Sequence, residues 1–298
     1  TAIEIGYRHF DTADFYKVSV ACFTLFFKHF YHFQNLEPLG EALREAISSG
    51  KVKRSELFLT TKIWPTWYGP GRVEASVRRQ LSQSGLDQFD LVLLHWPEIF
   101  ADDDVEGFPL GDNGKVKFGT RKLPEVYAEL ESVATAGLTR AIGVSNFNAA
   151  QLETILATAK IPPVMNQVEA HLYLAQKKLQ TFCNKHNIAI TAYCPLGAGG
   201  NKPNTFNVLE DPTLKALATK YNKSPAQVAL RYLTQRGIIV IPKSVRKERL
   251  ESNFQLFDFN ISSEDLSALE ALDKGQRLVS FDYYGTKDGP NYPFAAEF

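Results

Sequence analysis

The chain has 298 residues, and 33 Lys plus Arg balance 33 Asp plus Glu, so no net field would draw it to nucleic acid or to an anionic membrane. Hydrophobic residues at 44% and charged residues at 22% provide for a sizeable core and argue against a disordered chain. The charge balance makes a small molecule the expected partner, and three cysteines, Cys22, Cys183 and Cys194, odd in number and without CxxC spacing, argue against a disulfide framework or a zinc site and fit a reducing, cytoplasmic setting.

Residues 1–6 read as the tail of a helix. A β-branched and aromatic run at 7–12 comes next, then an irregular aromatic stretch at 18–34, then an amphipathic segment at 38–47 with apolar residues at helical spacing. From there runs and helical segments alternate: 57–63 with 73–81, 91–96 with 123–134, 140–145 with 149–157, 164–168 with 176–182, 188–193 with 226–233, and a last run at 238–242. This alternation predicts strand–helix units round a parallel sheet. A doubly wound dinucleotide-binding sheet would need GxGxxG after a strand to bring backbone amides to the pyrophosphate, and the sequence has none. Gly197-Ala198-Gly199-Gly200 opens no helix and reads as a loop. The expected fold is α/β, a TIM-type (β/α)8 barrel forming a single domain over 1–298. The stretch at 18–34 is broken by Lys28, His29 and His32 and is short for a membrane span, so no membrane segment is expected.

Unusual polar residues collect at the ends of the runs. Asp11, Lys62, His95, Ser145 with Asn146, Gln167, Tyr193 and Lys243 each close one of them, which is the face where such barrels carry their active sites.

His9-Phe10-Asp11-Thr12-Ala13 followed by Tyr16, then Thr61-Lys62-Ile63-Trp64, Leu94-His95-Trp96-Pro97, Gly143-Val144-Ser145-Asn146-Phe147, Asn166-Gln167 and Ile241-Pro242-Lys243-Ser244 together resemble the aldo-keto reductase family in order and spacing. The resemblance runs from Thr1 almost to Phe298 and implies reduction of an aldehyde, ketone or sugar carbonyl to an alcohol with NADPH. It implies Asp11, Tyr16, Lys62 and His95 as the catalytic set. The chemistry of these four is coherent. Hydride delivery leaves charge on the carbonyl oxygen, so a proton donor must stand beside it, and Tyr16 can serve. A phenol titrates near about 10, and a nearby ammonium, Lys62, lowers that value. Asp11 would keep the lysine charged in an apolar pocket, and His95 would orient the carbonyl.

By the same resemblance, Ser145, Asn146 and Gln167 would hold the nicotinamide carboxamide, Tyr193 would stack on its ring, and Leu196 would add a cofactor contact. Lys243, Ser244 and Arg249 would take the 2′-phosphate that separates NADPH from NADH, and Asn253 the adenine. Ser252 departs from the pattern, since the family often has Glu there. Trp64 and Trp96 would wall the substrate pocket, bordered by 98–120 and 278–298. No metal is expected, and the protein is expected to be monomeric.

Each assignment has a plainer reading. Asp11 could be a helix cap, His95 a core histidine, Trp64 and Trp96 barrel filling, and Lys243 and Arg249 a solvated face. His29, His32, His171 and His186 form no metal spacing and read as structural, and nothing marks Cys194 as a nucleophile. The competing function is a non-catalytic member, or an inactive fragment, of the same fold. The resemblance further implies a hairpin and strand before Thr1, so the chain is expected to be N-terminally truncated, its barrel lacking the first strand and leaving two unpaired edges. Segment 18–34 reads as an insertion: without it the sequence runs Phe15-Tyr16-Lys17-Asn35-Leu36-Glu37-Pro38, and its edges are compatible with a translated in-frame intron, an aromatic lid being the alternative.

Overall fold

The computed structural model describes residues 1–14, 17–18, 33–102, 107–197 and 206–295. Tyr16, almost all of the 18–34 insertion, positions 198–200 of the glycine-rich loop, 103–106 of the pocket-bordering loop and the last three residues lie outside the described residues.

A short helix α1 (Ala2–Ile5) leads into β1 (His9–Asp11), and a small antiparallel ribbon follows, β2 (Lys17–Val18) paired with β3 (Phe33–Gln34). The chain then alternates: α2 (Leu36–Ser48), β4 (Phe58–Ile63), α3 (Arg72–Ser84), β5 (Phe89–Leu94), α4 (Leu123–Thr135), β6 (Thr139–Ser145), α5 (Ala149–Leu156), β7 (Met165–Glu169), α6 (Lys177–Lys185) and β8 (Ala189–Tyr193). Helices α7 (Pro212–Lys220) and α8 (Pro225–Gln235), strand β9 (Ile239–Val240), and helices α9 (Lys247–Phe254) and α10 (Ser263–Glu270) complete it. All seven expected runs form strands of one parallel sheet, ordered β1-β4-β5-β6-β7-β8-β9. The ribbon β2–β3 was not expected from the sequence, and neither were α7, α9 and α10, which went unread on apolar spacing. For two of them the start is set by a cap instead: Asp211 accepts from Thr213 and Leu214 at the start of α7, and Ser262 from Asp265 at the start of α10.

The sheet is curled. Four strand-to-strand steps separate β1 from β7, which in a flat sheet would place them about 19 Å apart. Yet Gln167 Nε2 on β7 donates to Asp11 Oδ2 on β1 at 2.8 Å, so the strands wrap round a common interior. Among the described residues β1 and β9 pair only with their inner neighbours, β4 and β8.

Alternation along each strand sorts side chains between the interior and the helices. Leu91, Leu93 and Met165 form a small separate cluster inside, whereas Val92, Leu94, Ile142, Val144, Val168 and Ile190 join the large core beneath the helices. Helices α2 and α3 pack so tightly that a Cβ on Gly40 would collide with the Ser84 carbonyl oxygen, which accounts for a glycine inside a helix. No described helix is long and apolar enough to cross a membrane.

Candidate active site

The inward positions at the C-terminal ends of the strands are Asp11, Lys62, His95, Ser145, Gln167 and Tyr193, each in register with the inward set on its neighbour. Because the strands of such a barrel are tilted, each interior layer is filled by inward residues of alternate strands, and together the strand ends line one end of the interior. Here that end is polar.

Lys62 is fully buried, and its Nζ donates to Asp11 Oδ1 at 2.5 Å and to the Thr12 carbonyl at 2.9 Å. A buried ammonium is tolerable only with such compensation. The second Asp11 oxygen takes the Gln167 amide, so one carboxylate bridges the lysine on β4 and the amide on β7. Asp11 caps no described helix.

A second chain of hydrogen bonds continues across this end. Ser145 Oγ donates to the Gln167 carbonyl at 2.7 Å, Asn146 Nδ2 donates to the His95 carbonyl at 2.9 Å and to Ser145 Oγ at 3.2 Å, and the Tyr193 hydroxyl donates to Asn146 Oδ1 at 2.8 Å. Asn146 adopts φ 65°, a left-handed conformation that turns its amide back into the interior and that asparagine tolerates better than most residues. The residues expected for the carboxamide and the ring thus meet Asp11, Lys62 and the His95 carbonyl in one network. Gln167 Oε1 is buried and has no hydrogen-bond partner among the described residues, an acceptor held ready for a donor from a ligand.

His95 is buried, and burial first, then the Lys62 ammonium, holds its imidazole well below the usual histidine range. It is therefore neutral near physiological pH. Trp64 meets its ring edge-on at 5.2 Å, and Trp96, Phe100 and Phe281 extend an apolar cluster above. Trp96 and Phe281 stack at 3.8 Å with planes 8° apart. The two tryptophans thus stand beside the imidazole; they are not packed among the strands.

Other expected residues lie apart from this network. Lys243 and Arg249 are exposed, Ser244 is half-buried and hydrogen-bonds within its own turn to Arg246, Leu196 is half-buried beyond β8, and Asn253 is buried on α9. No carboxylate among the described residues forms an ion pair with Lys243 or Arg249, although Lys247 on the same helix as Arg249 pairs with Glu251.

Among the buried acids that went unread in the sequence are Glu169 and Glu98. Glu169 lies two residues beyond Gln167 and shares its face, a period-2 signal that was present in the sequence. Glu98 follows the Trp96-Pro97 step with no periodicity to mark it; it is fully buried, and among the described residues neither oxygen has a well-formed hydrogen bond.

The sequence profile of the aldo/keto reductase family matches residues 1–274. "Aldo-keto reductase family 1 member C4" of Homo sapiens is 40% identical over 303 residues, covering 100% of this chain and 88% of that protein. "Aldo-keto reductase family 1 member D1" of Mus musculus is 41% identical over 305 residues, covering 100% of this chain and 87% of the relative. Among solved structures, the aldose reductase of Schistosoma japonicum superposes with a TM-score of 0.87 at 33% identity, over 100% of this chain and 89% of the other.

Proposed function

The chain belongs to the aldo/keto reductase family, the enzymes that reduce carbonyls, and from that premise we propose that it uses NADPH, with Asp11, Tyr16, Lys62 and His95 as its catalytic set. The observation that carries this reading is the bridge by which one carboxylate, Asp11, joins the buried Lys62 ammonium to Gln167.

When bound, the reduced dinucleotide supplies a hydride to the carbonyl carbon. The carboxamide fits the residues present: Gln167 Oε1 is a buried acceptor in want of a donor, with the Ser145 hydroxyl and the Asn146 amide beside it. Tyr193 offers the aromatic face, and Lys243, Ser244 and Arg249 a cationic rim for a 2′-phosphate, with Leu196 and Asn253 as further contacts. Tyr16 donates the proton to the carbonyl oxygen, an assignment resting on its place in the family pattern. Lys62 favours loss of that proton by its charge, and Asp11 compensates the charge so that the buried lysine stays in place. His95, neutral, orients the carbonyl, and Trp64 and Trp96 beside it exclude water. The aromatic cluster favours an apolar or aromatic carbonyl compound over a highly charged one.

Consumption of NADPH with para-nitrobenzaldehyde tests the reading. Tyr16→Phe is expected to lower kcat by about 100-fold or more; full activity in that variant would remove the assigned acid. Arg249→Ala is expected to raise KM for NADPH by about 10-fold and to leave KM for NADH unchanged.

A further inference from the structure

The Glu169 carboxylate lies outside the network just described, yet it is fully buried and has three donors. The Leu278 amide donates to Oε1 at 2.7 Å, the Val279 amide to Oε2 at 2.8 Å, and His171 Nε2 bonds Oε1 at 2.9 Å. His171 is equally buried, and its Nδ1 accepts the Tyr173 amide at 3.2 Å, which leaves the ring proton on Nε2, aimed at Glu169. The preceding stretch of tail lies along the same segment: the Tyr173 carbonyl accepts from Lys274 at 3.3 Å and from Gln276 at 2.9 Å. Two residues beyond the last anchored amide comes Phe281, in a left-handed conformation at φ 53°, stacked on Trp96.

We propose that Glu169, oriented by His171, is a positioning residue that fixes the C-terminal tail so that Phe281 stands over Trp96 and sets which carbonyl compounds the pocket admits. This rests on the reductase reading of the pocket. The chemistry requires a carboxylate, because two successive backbone amides and an imidazole N–H all point into one group and only a group with two acceptor oxygens meets them all. Strand alternation supplies the rest: β7 presents Gln167 to the cofactor site and, one inward position later, Glu169 to the tail.

The isosteric variant Glu169→Gln tests it in the full chain, since its NH2 would face one of the three donors. Hydrogen exchange at the Leu278 and Val279 amides is expected to accelerate about 10-fold. KM for a bulky aromatic aldehyde is expected to rise about 10-fold with kcat and the KM for glyceraldehyde nearly unchanged, and Glu169→Gln is expected to add nothing to Phe281→Ala in a double variant. Unaltered protection of the two amides would overturn the proposal, as would equal losses on both aldehydes with additive variants. If Glu169→Gln does not fold, His171→Asn, which keeps the carboxylate but removes its imidazole donor, is expected to give faster exchange at the same two amides, and unchanged exchange there overturns the proposal. A parent protein that turns over neither aldehyde would sink the reductase reading alone, because the exchange measurement decides the clamp without any activity.

Discussion

Lys62 has no exposed surface and lies between Asp11 Oδ1 and the Thr12 carbonyl, so its charge is tied to one geometry. Lys62→Met is expected to lower the single-turnover rate by about 1000-fold if, as proposed, the ammonium acts on the proton donor as charge develops. Glu98 makes the opposite case, a buried carboxyl with no cation to balance it among the described residues. Burial pushes it up to about 7 from 4.5, against a smaller opposing pull from the Asn291 backbone. Between those values the folded chain keeps a proton that the unfolded chain has released, so stability falls as pH rises through this window. Glu98→Gln is therefore expected to melt higher than the parent above a pH of about 8, by up to about 3 kcal/mol in unfolding free energy, with little gain below the window. His9 and His95 work on the acid side, because burial holds both below their usual range. There the unfolded chain binds protons that the folded chain does not, so denaturant titrations should show stability falling as pH drops below about 6.5.

Among the elements, the ribbon β2–β3 bears most directly on the unusual segment 18–34. Lys17 pairs with Gln34 and Val18 with Phe33, so the chain leaves and returns at one point, where paired Cα atoms are about 5 Å apart. Joining Lys17 to Asn35 spans almost no distance, and deletion of 18–34 is expected to leave the far-ultraviolet circular dichroism and the NADPH affinity unchanged; an unfolded deletion variant would make the segment part of the fold. Close packing is tightest where α2 meets α3. Gly40→Ala would drive a Cβ into the Ser84 carbonyl, and a loss of about 1–3 kcal/mol in chemical denaturation is expected. The strands of the parallel sheet were legible because each falls in a short run rich in β-branched, aromatic or aliphatic residues. Helices α7, α9 and α10 were not, although Asp211 and Ser262 cap the first and the last of them, because most of a helix's stability comes from tertiary packing.

At the scale of the molecule, a parallel sheet in chain order closes on itself far enough for β1 to touch β7, and the interior this creates holds the site. A monomer is the expected outcome of light scattering. The sequence by itself determined the seven strands of the parallel sheet, most of the helices between them and the residues that close each strand, because alternation and run length are local properties written in consecutive residues. Only the tertiary structure decided that Asp11 divides its two oxygens between Lys62 and Gln167, that His95 is buried deeply enough to stay neutral, and that Glu169 anchors the tail beneath Phe281. Those facts depend on groups between 51 and 156 positions apart in the chain reaching hydrogen-bond distance, and only the curvature of the sheet brings them there.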